Sequence, residues 1–186
     1  MFAADYYFCG NKNFRLAYFN HGTPQAYVMR DVVLNFAEKN KIQFVEGKLT
    51  RERDRKESPE EFYRNERYRW LSSLGFDIVT AHNLGDQVEQ WLFSSLHGNL
   101  NLMKGCSMIS FYGQNATLYR PFITNTKQQL TDWCIRHNVS WCEDESNKDT
   151  KYPRNFIRHE LLAQCLKVNP GLANTIRKKI LKEHVQ

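Results

Sequence analysis

Asp86 and Glu89 stand three residues apart, just beyond a polar turn that contains Gly85. Val88, Trp91, Leu92 and Leu96 recur at helical spacing, which places both acids on one face of a helix's first turn. Phe76–Ala81, ahead of the turn, reads as a short buried strand. Ligands of open α/β sheets bind where strands end and helices begin, so this pair could hold an amine, a metal ion or a proton. The same spacing suits a capping pair favoured by the helix dipole, and on spacing alone the cap is the stronger reading.

The elements that must position such a pair can be followed along the chain. Met1–Phe8 has a helical pattern ahead of Gly10, and Phe14–Phe19 reads as a strand ending at Asn20-His21-Gly22. Pro24 opens a helix bearing Val28, Val32, Val33 and Phe36, and Ile42–Val45 reads as a second strand. Ser58-Pro59-Glu60-Glu61 is a strong helix start, with Ser as cap, Pro at the first position and Glu three after the cap. That helix ends near Leu74-Gly75. Gly98–Gly113 reads as a long connection, and Leu118–Phe122 as a short extended piece. Thr126 caps a helix with Leu130, Trp133 and Cys134 on one face, and Val139–Trp141 reads as a last short strand. Helix resumes from Arg154, interrupted near Asn169-Pro170-Gly171. Strands alternating with helices predict a doubly wound, mainly parallel α/β sheet with helices on both faces.

A chain of 186 residues with 41% hydrophobic and 13% aromatic residues supports one domain with a real core. We place that domain at residues 1–165 and a basic helical tail at 166–186. The five cysteines are odd in number, widely spaced and without a CxxC pair. Neither a zinc knuckle nor an iron–sulfur site is suggested, no residue is assigned to a metal, and a reducing cytoplasm fits best. No run approaches the roughly 18 apolar residues of a membrane span, and no signal-peptide pattern opens the chain. The net charge of +6 favours polyanionic partners. It gathers at Lys48, Arg51, Arg53, Arg55 and Lys56 in one loop and at Arg177, Lys178, Lys179 and Lys182 near the end. Each cluster reads equally as a solvated surface.

Three stretches together resemble the N-terminal catalytic domain of tRNA(Ile)-lysidine synthetases, in the PP-loop (N-type ATP pyrophosphatase) superfamily. The first is Ala81-His82-Asn83-Leu84-Gly85-Asp86-Gln87-Val88-Glu89-Gln90, where the family has Ala-His-His-Leu-Asp-Asp-Gln-x-Glu-Thr. The second is Arg120-Pro121-Phe122, matching Arg-Pro-Leu. The third is Trp141-Cys142-Glu143-Asp144-Glu145-Ser146-Asn147 followed by Arg154-Asn155-Phe156-Ile157-Arg158. It matches Trp-x-Glu-Asp-x-Ser-Asn and Arg-Asn-x-x-Arg. The Asn20-His21-Gly22 turn and the Arg64/Arg67-Tyr68 helix match weaker family patterns in the right order, and the likeness runs from Met1 to at least Pro170.

The resemblance implies ATP and Mg2+ as cofactors, and free lysine and a tRNA(Ile) with a CAU anticodon as substrates. The wobble cytidine is adenylated and the lysine amine then displaces AMP. Asp86 and Glu89 would hold the lysine ammonium groups through charge-assisted hydrogen bonds. Arg154 would offset developing charge near the reacting phosphate or base, its alternative being an ion pair with Asp144, Glu145 or Asp149. His21 and Gly22 would line the adenine side. Arg64 and Arg67 would reach phosphates, unless they pair with Glu60 or Glu61. Arg158 and Asn155 would tie the Glu143–Asn147 loop to the helix start.

The family's Ser-Gly-Gly-x-Asp-Ser phosphate loop is absent, and Met1 aligns directly after its final serine. The strand before that loop, central in the family sheet, is therefore expected to be missing, leaving unpaired interior edges. Met1 is expected to be an internal methionine or the start of a fragment. If complete, the 186-residue chain is expected to lack ATP-pyrophosphatase activity and to be poorly stable. Gly85 also removes one family carboxylate. Two other readings stay open: a catalytically inactive RNA-binding remnant using Lys48–Lys56, and a tRNA thiolase of the same superfamily. The missing CxxC pair argues against the thiolase.

Overall fold

The structure is a computed structural model that describes residues 1–183, the side chains of 146, 148 and 183 excepted. Helix and strand alternate from the start: α1 (Phe2–Cys9), β1 (Leu16–Asn20), α2 (Pro24–Lys39), β2 (Phe44–Lys48), α3 (Pro59–Ser73), β3 (Ile78–Val79) and α4 (Leu84–Leu96). The second half holds β4 (Cys106–Phe111), β5 (Gln114–Tyr119), α5 (Lys127–Arg136), α6 (Pro153–Phe156), α7 (Leu162–Val168) and α8 (Leu172–Glu183). A π-helical turn, Ile157–Leu161, joins α6 to α7. The α/β class is borne out.

The chain divides into two compact units. The first comprises Met1–Ile78, Met108–Leu118 and Cys134–Asp144. In it β1 and β2 run parallel, with Leu16 opposite Phe44 and Asn20 opposite Lys48. Gly47 on β2 lies so close to the Trp70 indole of α3 that a Cβ there would run into the ring. Thr23 caps α2, its side chain accepting from the Ala26 amide at 3.2 Å. Tyr68, Ile78, Ala116 and Leu118 form a small core cluster in this unit.

The second unit comprises Val79–Ser107, Tyr119–Trp133 and Glu145–Gln186. Leu84, Val88 and Leu92 on α4 pack with Ile123, Ile157 and with Leu172, Ile176 and Ile180 on α8. The stretch read as a basic tail thus contributes an apolar stripe of period 3.6 to this core. Gln87, fully buried, donates to the Met103 carbonyl at 2.7 Å and accepts from the Met103 amide at 2.9 Å. Its side chain thereby satisfies a backbone pair that no strand serves.

The strands fall into two sheets, β1-β2 and β3-β5-β4. Four local expectations are corrected. Gly98–Gly113 is not one long connection, because Cys106–Phe111 is β4 and Tyr112-Gly113 turns the chain into β5. Both turn residues have positive φ (50° and 80°), the requirement of a two-residue type I′ hairpin. Val139–Trp141 is not a strand; only Val139 is buried, and the chain there has no ladder. The second strand lies at Phe44–Lys48 and not at Ile42–Val45. Ser58 does stand at the α3 N-cap, but its side chain makes no cap hydrogen bond.

Candidate functional site

The second unit carries the carboxylates. Asn83 and Asp86 form a reciprocal capping box at the start of α4. Asn83 Oδ1 accepts from the Gly85 amide at 2.8 Å, and Asp86 Oδ2 accepts from the Asn83 amide at 2.8 Å. The cap reading is thus correct for Asp86, with Asn83 as its partner in place of Glu89. Glu89, one turn further on, is 7% exposed. A carboxylate so placed needs partners, and Arg158 supplies both. Its Nε donates to Oε1 at 2.7 Å and its Nη2 to Oε2 at 2.9 Å, a fork on a carboxylate. The same Nη2 lies 3.6 Å from Asp86 Oδ1. Two carboxylates therefore share one guanidinium.

Titration behaviour follows from this arrangement. Burial pushes the Asp86 carboxyl above its ordinary range, opposed by the Asn83 amide and by Arg158, Arg154 and Lys127. The hydrogen bonds to Glu89 raise Arg158, which stays charged. Arg154, on α6, donates from Nη2 to Gln90 Oε1 at 2.9 Å and lies over the Phe93 ring, 5.3 Å from its centroid. Arg158 sits inside the π turn that follows. Such turns insert one residue into a helix and recur at functional sites.

Sequence reasoning had Arg158 tying the Glu143–Asn147 loop; the structure pairs it with Glu89 and Asp86, 69 residues from Glu89 along the chain. Nothing in local spacing signals that partnership. Asn155 donates to the Asp149 carbonyl at 2.9 Å. Gln90, noted only as a departure from a family threonine, is an Arg154 partner that sequence reasoning missed.

The first unit carries the residues expected on the nucleotide side. Gly22 has φ +80°, a conformation that favours glycine, and its amide donates to Asn20 Oδ1 at 2.8 Å. The His21 ring stands edge-on between Phe19 and Tyr63, with centroids 5.2 and 5.0 Å away. Its Nδ1 is buried without a hydrogen-bond partner among the described residues. Burial and then the Arg67 charge push this imidazole below its ordinary range, so it is neutral at pH 7. Arg64 and Arg67 on α3 are exposed and flank the Tyr68 ring at 5.8 and 5.4 Å.

The basic loop is less open than its composition suggested. Arg51 pairs with Glu57 at 2.9 Å and with buried Glu66 at 3.4 Å, and Arg53 donates to the Glu57 carbonyl at 2.6 Å. No helix of the described residues is long and apolar enough to cross a membrane.

A family model described as a PP-loop domain matches residues 4–165. A tRNA(Ile)-lysidine synthase of Legionella pneumophila (strain Lens) is 40% identical over 130 residues, covering 66% of this chain and 29% of the relative. One from Actinobacillus pleuropneumoniae serotype 3 is 34% identical over 156 residues, covering 81% and 36%. The chain thus spans about a third of the length of these curated relatives. Among solved structures, a U34-tRNA thiolase from Methanococcus maripaludis with its [4Fe-4S] cluster matches with a TM-score of 0.68. It is 14% identical, over 95% of this chain and 63% of that one, a likeness of fold.

Proposed function

We propose that this chain, which belongs to the PP-loop domain family, contributes its domain to the ATP-dependent ligation of lysine to the wobble cytidine of a tRNA(Ile) with a CAU anticodon. The observation that carries the reading is the Asp86–Glu89–Arg158 cluster, where two carboxylates face one guanidinium. Paired carboxylates suit an ammonium group, and Asp86, only half-buried, is the carboxylate that an incoming amine meets. Glu89 contributes by fixing Arg158, and it takes part of the amine's field through that fork. The raised Asp86 carboxyl marks a charge held at some cost to folding, a feature of functional sites.

The nucleotide fits the first unit on one observation, the buried and unpartnered His21 Nδ1. A neutral imidazole there can donate to, or accept from, an adenine edge. Gly22 allows close backbone approach, and the exposed Arg64 and Arg67 offer charge to phosphates. ATP, its phosphate charge offset by Mg2+, would supply the adenylyl group to the cytidine oxygen, with pyrophosphate as the leaving group. Arg154 would offset charge at the adenylated cytidine while Gln90 and Phe93 hold its plane. Lysine then displaces AMP as its amine becomes a carbon–nitrogen bond, the work of a ligase. The free cysteines support a reducing, cytoplasmic setting. Fold likeness to a thiolase is the one support for sulfur transfer, and the absence of a CxxC pair weighs against it.

The test is genetic. Residues 4–165 replace the matching segment of the Legionella relative, and the chimera is asked to support growth when the host's own lysidine-forming enzyme is depleted. Growth that depends on Asp86 supports the proposal. A folded, tRNA-binding chimera that forms no lysidine counts against it.

A further inference from the structure

We propose that Asp5, Cys9 and His137 form a binding site for a divalent transition-metal ion of the zinc type. The cluster lies wholly in the first unit and is independent of the ligase reading. Asp5 and Cys9 are four residues apart on α1, hence on one face, and His137 is the first residue after α5. A carboxylate, a thiol and an imidazole from two elements thus converge on one point.

The distances match a coordination sphere. Cys9 Sγ lies 3.6 Å from Asp5 Oδ2 and 3.5 Å from His137 Nδ1, and Nδ1 lies 3.0 Å from Oδ2. Zinc bonds of about 2.3 Å to sulfur and about 2.0–2.1 Å to nitrogen or oxygen, at tetrahedral angles, separate donors by roughly 3.3–3.6 Å. Two of the three separations fall in that range, and the third needs to open by a few tenths of an ångström.

A nucleophilic relay is excluded by the same geometry. In such a relay the thiol and the carboxylate engage opposite imidazole nitrogens. Here both meet Nδ1, the pattern of a chelate. Asp5 is 7% exposed whereas Cys9 and His137 are exposed, so a fourth position faces solvent and can take water. On binding, the Cys9 thiol gives its proton to solvent. The thiolate and carboxylate then neutralise the dication around a neutral imidazole.

The test uses the 186-residue chain with cobalt(II) or zinc(II) chloride alone. One Co2+ per chain should give a thiolate-to-cobalt charge-transfer band and tetrahedral visible bands, both displaced by Zn2+. Cys9→Ser should abolish the charge-transfer band, and His137→Ala should weaken binding by more than the roughly 10–100-fold typical of lost outer-shell partners. Cys106→Ser, also at an exposed cysteine, should leave the band intact. Cys9 and His137 are at the surface, so both variants should retain the parent circular dichroism. Native mass spectrometry of the unmodified chain gives a second readout, one retained zinc. No thiolate band, a band that survives Cys9→Ser, or zinc retained equally by His137→Ala would overturn the proposal.

Discussion

The acidic cluster on α4 and the His21 turn after β1 are built on opposite plans. Around Glu89 the charged groups are tied to one another: the capping box closes on Asp86, and Arg158 closes on both carboxylates. Around His21 the polar groups are held more openly, with a buried Nδ1 that has no hydrogen-bond partner among the described residues and two exposed arginines on the Tyr68 ring. A closed ion-pair network resists rearrangement, because removing one member strands the others. An open set costs little to alter and responds chiefly to what binds it. On the proposed function, the first plan would fix a small cationic substrate in one geometry, and the second would accommodate a large anionic one.

The strongest way to break this contrast is Arg158→Met, which leaves Glu89 buried without its fork. Losing one partner of a buried pair costs about 3–5 kcal/mol; because the Arg158 side chain is 36% exposed, a cost near the lower bound is expected in urea unfolding. Adding Glu89→Gln should recover much of that loss. A double variant no more stable than the single would show that the pair is not closed as described.

Next in size is Gly22→Ala. A side chain at φ +80° costs about 1–2 kcal/mol. The loss should appear in thermal melts without any change at the acidic cluster.

Asp86→Asn sharpens the contrast through pH. Burial raises the Asp86 carboxyl, so folding favours the protonated form. The cost is in full force above the folded-state value and fades as pH falls through it to below the ordinary carboxylate range. The native chain should therefore lose stability relative to Asp86→Asn as pH rises from acid to neutrality. The variant should be at least as stable at pH 7 while losing lysine use, and a pH-independent difference would contradict the buried charge.

The smallest stability effect belongs to Arg64→Ala and Arg67→Ala, expected within about 0.5 kcal/mol. Their signature is functional: weaker binding of ATP or RNA and a shallower dependence on salt. Unchanged affinity in the double variant would remove them from the anion side.

Much of the frame was legible in the chain because its signals are local. Thr23-Pro24 and Thr126 marked helix starts, and Gly75, with φ +72°, marked a helix end. The missed strand β4 carries apolar residues on both faces, with Met108 75% exposed, so no alternation announced it. Its turn, Tyr112-Gly113, lacks the Asn or Asp that usually signals this hairpin. Val139 misled because one buried residue beside exposed Ser140 and Trp141 mimics a strand end. At the site, Asp86 and Glu89 stood out by spacing and motif, whereas Arg158's role depends on a contact across 69 residues. The Asp5–Cys9–His137 group, whose two histidine contacts span 128 residues or more, was equally invisible.

The π turn at Ile157–Leu161 bears on how this segment tolerates insertions and deletions. Each residue of an α-helix turns the chain by about 100°. Deleting one residue between Ile157 and Leu161 would let the ladder revert to regular α-helix with no net loss of bonding per residue. Because the wide turn absorbs the extra residue, the flanking helices would keep their phase, and the loss would fall on the placement of Arg158 within the turn. A frame-preserving, single-codon deletion here should therefore yield a protein that folds and is silent, which makes the turn a natural phase marker when lengths are compared among relatives.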